Sequence, residues 1–495
     1  MSKCIRYCIL LISLAFFIVG INTVNFNIAL TGVILLFINN MIYSFEKVKQ
    51  RVIFLFFHLT FFVFLMARPT ISFLKGDFWW YFSNNTVRFS LCALYLSLLL
   101  MFLGAIFIEE VLKRKDSKPK KYNSGFEKHK YNDLINSLQK ISLLLFFITM
   151  SCYLTIQIEM LILMQGREYV EYYTNYTTRL PVIIHLFATM MKYTLCIYLA
   201  TLPSKKASFI PLALYFISAI PSLIVGMRNP IVLNAIFVFL YYLIRDVFQD
   251  KEKWIGRFEK TAIIIVLPAA LIFLSVYNYL REGKEVATTG FVDTIVDLFY
   301  KQGVSYDVLC IGYDAIPDLP NVVPKNYTFG PFLDYFLHGS IAQNFFGAQS
   351  LGAGNNEIKA IYGNSFAHSM SYVAKPDYLE GHGWGSSFIL ESYADYGYLG
   401  IIIFSFLLGI ALIYLMHIVK MNWFSKTFTF ICLTSLFFAP RAEATSWFLF
   451  IVTAQFWLTL IVCYIFAQLC SRRYSFAGIK MLNKSRYKLG GEFNV

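Results

Sequence analysis

Apolar residues run along this chain in blocks of about 20, the helix length that crosses the hydrocarbon core of a bilayer, and polar residues gather in the intervals. Twelve blocks stand out, near 5–21, 24–44, 52–67, 87–108, 141–164, 181–201, 208–225, 230–247, 261–280, 387–416, 427–440 and 446–469. The third and the eleventh are the shortest. Lys3 and Arg6 give the first block the outline of a signal peptide. No small-residue cleavage site follows, however, and a second block begins almost at once, so it reads as a retained helix. The pattern predicts an all-α polytopic membrane protein with about 12 transmembrane helices.

The intervals are short or basic with one exception, 281–386, which carries eleven Asp/Glu and six Lys/Arg. Apolar-periodic pieces at 291–301 and 331–346 predict short amphipathic helices there. Turn-rich stretches around Pro317, Pro320, Pro324, Gly352 and Gly354 separate them. Intervals this long inside compact proteins tend to be functional. The organisation is therefore 1–280 with helices one to nine, 281–386 as one large loop, 387–470 with helices ten to twelve, and a basic tail at 471–495.

Composition agrees. Of the 495 residues, 58% are hydrophobic, 18% aromatic and 15% charged, against roughly 25% charged in an average soluble protein. The same numbers exclude a disordered chain, which would be apolar-poor and highly charged.

Charge sets the orientation. The chain has 43 Lys+Arg against 29 Asp+Glu, a net +14, which in a soluble protein would raise nucleic acid as a partner. With the N-terminus in the cytoplasm, the inner segments hold 29 of these cations and the outer ones 13, and nine crowd into 109–140. That is the positive-inside bias, and no nucleic-acid partner is needed. Both termini are then cytoplasmic, the loops within 1–280 that carry the basic clusters are cytoplasmic, and 281–386 faces the other side. The nine cysteines mostly lie inside apolar blocks and show neither CxxC nor metal-ligand spacing, so neither a disulfide framework nor a metal site is expected.

The candidate chemistry lies on the outer face. Arg228 occupies the turn Gly226-Met227-Arg228-Asn229-Pro230. Arg281 ends the ninth block in Tyr279-Leu280-Arg281-Glu282-Gly283, and Arg441 stands in Pro440-Arg441-Ala442-Glu443. Each could snorkel to head groups, but arginine is sparse in short outer loops, and its fork of donors matches phosphate oxygens. A second constellation closes the large loop: His368, then His382, then Ser386-Ser387 ahead of Glu391 and Asp395. A serine there can cap a helix that carries the two acids at i, i+4 on one face. A carboxylate or imidazole at that surface could act as general base, while Asp395 fits complementing the helix dipole. Deeper in the membrane, Glu159, His185 and Lys192 are either functional or a pairing between helices.

These motifs resemble the Wzy-type O-antigen polysaccharide polymerases. The resemblance lies in the Arg228 and Arg281 motifs, in Gly385-Ser386-Ser387-Phe388-Ile389-Leu390-Glu391 running into Gly397 and Gly400, and in one large loop late in a many-spanning chain. It implies an inner-membrane glycosyltransferase with a GT-C-like helical body and a periplasmic active face. Such an enzyme moves a growing glycan from undecaprenyl pyrophosphate onto a lipid-linked repeat unit. It uses no nucleotide sugar, metal or cofactor, and it works among membrane lipids beside a chain-length regulator. By position, Arg228 and Arg281 would hold the pyrophosphate and His382 would be the base, with Glu391 as the rival. Arg441 as a further anion contact and His368 as a further catalytic candidate come from the reading of the residues alone.

Two other classes stay open. A flippase for the same lipid-linked sugars also suits twelve spans, but it should show repeat symmetry and midplane charges, and no internal repeat is visible. An O-antigen ligase shares the chemistry and differs in its acceptor.

Overall fold

In the computed structural model, described residues are 2–116, 125–167, 169–174, 176–248, 253–262 and 290–489, together with 264, 265, 269, 272, 273 and 277. Among the described residues there is no strand, and ten helices are long and apolar enough to cross a membrane. The first eight follow the expected blocks. They comprise α1 (Ser2–Asn22), α2 (Phe26–Glu46), α3 (Val48–Phe61) continued into α4 (Ala67–Lys75), α5 (Asn84–Asp116), α6 (Gly125–Met164), α7 (Val182–Ala200), α8 (Lys205–Ile217) continued into α9 (Ile220–Ile224), and α10 (Asn229–Val247).

Among these eight, the third differs in extent from its expected block. The third, expected at 52–67, is a 28-residue span from Val48 to Lys75 with a π turn at Phe62–Met66. Arg51 and Arg68 look like end charges in the sequence. Each instead has a carboxylate partner, Glu109 for Arg51 at 2.5 Å and Asp307 for Arg68; the chain kinks at Arg51, where φ is −125°, and the helix continues past Arg68. The expected ninth span, 261–280, lies for the most part outside the described residues.

Segment 290–387 is built from short helices, none long enough to span. They are α11 (Phe291–Gln302), α12 (Ser305–Ala315), α13 (Gly330–His338), α14 (Ser340–Phe346), α15 (Glu357–Tyr362) and α16 (Phe366–Ala374). The expected amphipathic piece at 331–346 is thus two helices. Gly339 separates them, and a Cβ there would meet the Tyr335 carbonyl oxygen at 2.1 Å.

The chain then enters α17 (Phe388–Ile418), α18 (Trp423–Leu433) and α19 (Ala454–Leu489). The expected eleventh block at 427–440 is only half an α-helix, since α18 ends at Leu433 and 3₁₀ turns follow at Leu436–Arg441 and Ser446–Val452. The last span accordingly starts at Ala454 rather than 446.

The core forms where α5 and α17 cross backbone to backbone. A Cβ on Gly104 would lie 2.2 Å from the Phe406 carbonyl oxygen, and one on Gly409 would lie 2.1 Å from that of Met101. Small residues allow this approach, and in lipid the packing it gains is a main source of helix association. Within α17, Gly397 takes φ 61° and ψ −152°, a conformation essentially confined to glycine. It sets the first two turns, with Glu391 and Asp395, apart from the long apolar remainder.

Candidate active site

The short helices of 290–387 are fixed to the bundle by acids that accept from backbone. Asp395 Oδ1 accepts from the Tyr327 N–H at 3.0 Å, and Oδ2 accepts from the Thr328 N–H at 2.7 Å and its hydroxyl at 2.6 Å. Asp334 accepts from the Asn364 N–H and side-chain amide, both at 2.9 Å. The Thr445 hydroxyl donates to the Thr328 carbonyl at 2.9 Å. Glu391 is fully buried, with Oε1 accepting from the Ser386 hydroxyl and Oε2 from the Ala444 N–H, both at 2.7 Å. These bonds hold the Arg441–Thr445 turn and the start of α16 against the head of α17. Ser387 caps that helix, its Oγ accepting from the Ile389 N–H at 3.3 Å.

Beneath them opens a cavity of about 1220 Å³, lined by both histidines expected from the sequence and by Arg167, Lys359, Lys375 and Arg441. Among the described residues lining it there is no Asp or Glu. One wall comes from the α6–α7 connection. Gly381 (φ 96°) brings its turn so close that a Cβ would lie 2.4 Å from the Val170 carbonyl oxygen, and the Asn355 N–H donates to Tyr173 O at 2.9 Å.

The four cations differ in how they are held. Arg167 lies 3.8 Å from Glu171, and Lys375 lies 2.8 Å from Asp377 and 5.3 Å from the centre of the Trp384 ring system. Arg441 donates to Gln302 at 3.3 Å and lies over the Phe64 ring. Lys359 is half-buried, and its Nζ donates to the Gly354 carbonyl at 2.9 Å. Burial lowers its affinity for a proton. An anion entering this space would strengthen every one of these cations.

The two histidines are not alike. His382 stands at the rim, 44% exposed, with Nε2 3.7 Å from Asp377 Oδ2. His368 is half-buried, and its Nδ1 lies 2.9 Å from the hydroxyl of Tyr378, itself only 2% exposed. That hydroxyl donates to the Asn356 carbonyl at 3.2 Å. With its proton on that carbonyl the hydroxyl can accept from Nδ1–H, the tautomer that leaves a lone pair on Nε2. Burial first, and the charge of Lys359 second, push His368 down to about 4, so it is neutral at pH 7. The neutral ring can take a proton, and burial with the Lys359 charge makes it a weaker base than a free imidazole until an anion enters the cavity.

The structure therefore brings together Arg441, His368 and His382. Arg228 caps α10 half-buried, and its neighbours Gly226 and Asn229 line the cavity. Arg281 lies outside the described residues. Glu391, expected as a rival base, is not among the lining residues, and both of its oxygens already hold donors. The Thr178 hydroxyl lies 2.7 Å from Glu159 Oε2 and 3.0 Å from His185 Nε2, so it bridges the two in place of a direct pair. Sequence reasoning missed Arg167, Lys359, Lys375 and Tyr378. Each reads as an ordinary loop residue, and no local motif in the sequence marks any of them.

The family model described as O-antigen polysaccharide polymerase Wzy matches residues 5–474, nearly the whole chain. No curated protein and no solved structure matches it.

Proposed function

Because the chain belongs to the O-antigen polysaccharide polymerase family, we propose that it transfers a growing glycan from undecaprenyl pyrophosphate onto the sugar of a newly arrived lipid-linked repeat unit. The transfer takes place at the periplasmic face of the bacterial inner membrane. Segment 281–386 is the periplasmic loop, and both termini, with the tail 471–495, lie in the cytoplasm. The family supplies O-antigen polymerisation and a glycosyltransferase type of activity. The carrier, the direction of transfer and the side of the membrane are the proposal. One observation supports it above the others: a cavity at the end of the bundle with cations and imidazoles but no described carboxylate in its lining.

The chemistry runs as follows. The acceptor hydroxyl oxygen attacks the anomeric carbon of the donor glycan while its proton passes to His368 Nε2. The bond from that carbon to the phosphate oxygen breaks, and its electron pair leaves with the pyrophosphate. Arg441 and Lys359, with Arg228 at the edge and Arg281 by family resemblance, meet the developing charge, which is where fixed cations contribute most. In this reading side-chain cations, not a metal, carry that role. Tyr378 is a positioning residue that fixes the His368 tautomer. Glu391 is another, holding the turn that bears Arg441.

Lipopolysaccharide banding of a deletion strain tests the reading. A polymerase defect leaves single repeat units attached to the lipid A core and no ladder. Undecorated core would overturn the proposal. It is the outcome expected of a flippase, and if polymer were stranded on its lipid carrier, of a ligase.

A further inference from the structure

The α13–α14 hairpin has no place in the reaction described above, yet it carries an unusual surface. Between Pro331 and Asn356 the sequence contains one formal charge, Asp334, and that carboxylate is turned inward onto Asn364. Phe336, Leu337 and Ile341 are exposed, and Phe345 and Phe346 are 80% and 82% exposed. None of the five lines the cavity.

The position of the hairpin indicates what covers this face. The Tyr335 hydroxyl accepts from the N–H of Ala454, the first residue of the last span, at 3.0 Å, and Phe332 packs on Phe448 at 5.2 Å. One turn further along that span, Trp457 is exposed, and its Nε1 donates to Ile451 at 2.7 Å. Tryptophans near the ends of spans commonly anchor them at the bilayer interface, and Trp457 is the fourth residue of this one. Leu458, Ile461 and Ile465 continue the same uncovered apolar surface down the span.

We infer that the α13–α14 hairpin lies in the bilayer interface of the leaflet at the cavity end, with Phe345 and Phe346 inserted among acyl chains, and that this fixes the height of α16 above the membrane. The coupling is rigid. A Cβ on Gly330 would lie 2.1 Å from the Asn364 carbonyl oxygen, Asp334 holds Asn364, and α16 with His368 begins two residues later. The insertion itself is independent of the polymerase reading. Its consequence for His368 rests on that reading.

A photoreactive benzoylphenylalanine placed at Phe345, and separately at Ile341, in full-length protein in phosphatidylethanolamine/phosphatidylglycerol vesicles tests the insertion. Irradiation should attach phospholipid at both sites and at least several-fold less at the exposed Glu357, as read by mass spectrometry. Cross-links mainly to a second copy or to another protein, or equal lipid yield at all three sites, would overturn it. For the coupling, the paired change Phe345→Asp and Phe346→Asp should shorten the polymer ladder at unchanged protein level. A wild-type ladder would refute the coupling. Failure of the polymerase reading would appear instead as undecorated core in the deletion strain.

Discussion

His368 and His382 share one cavity, and their surroundings give them different tasks. If His368 takes the acceptor proton, His368→Gln should lower polymerisation by roughly 10²–10⁴-fold, the usual contribution of a general base. His382→Gln should cost far less, and equal losses would contradict the assignment. Because His368 is pushed down to about 4, the acid limb of the rate profile belongs near that pH rather than near the free imidazole value of about 6.5. Lys359→Met removes a charge that helps depress it and should move the limb upward. Burial, the larger cause, remains. The stability sign follows: the unfolded imidazole binds its proton first, so this contribution is full above about pH 6.5 and is lost as pH falls toward 4. Tyr378→Phe frees the ring to change tautomer and should lower kcat with little change in KM. Arg441→Lys keeps the charge and loses the fork. It should reduce activity by roughly 10–100-fold, the size of one charge-assisted hydrogen bond, with protein level unchanged.

At the scale of elements, the head of α17 and the turn before α19 act as one piece. Glu391→Ala would strip the acceptor from the Ser386 hydroxyl and the buried Ala444 N–H. A buried donor left unsatisfied costs about 1–3 kcal/mol. Thermal unfolding in detergent should therefore show a lower midpoint, with activity falling through the displaced Arg441 turn. An unchanged midpoint would mean that the carboxylate does not hold the turn. The break in α17 has its own test. A side chain at Gly397 meets nothing within 4 Å, so Gly397→Ala isolates the backbone cost of that conformation, on the order of 1–3 kcal/mol.

At the scale of the whole molecule, the described residues form a helical bundle with the candidate site at one end. Reporter fusions after Lys121 and after Asn355 should report opposite compartments, and the same compartment for both would sink the proposed topology. Much of this scale is legible in the sequence, because an apolar block of about 20 residues has few options other than to span. The spans, their charge bias and the late large loop follow from that alone. The elements that escaped are those where a partner changes the rule. The third span runs on because Glu109 and Asp307 neutralise Arg51 and Arg68. The eleventh block shortens into 3₁₀ turns that pack around the head of α17.

Among the candidate residues, the sequence by itself marked Arg441, His368 and His382, which line the cavity, and Arg228, whose neighbours do, since such groups are conspicuous beside apolar runs. Only the tertiary structure separated His368 from His382 and removed Glu391 from the cavity lining. It also drew Arg167, from the α6–α7 connection, together with Lys359, Lys375 and Tyr378 of the large loop around one space. The physical reason is that spanning is decided by local transfer free energy, which each block carries in its own residues. Burial, proton affinity and the tautomer of a ring are set by neighbours that only the folded chain supplies.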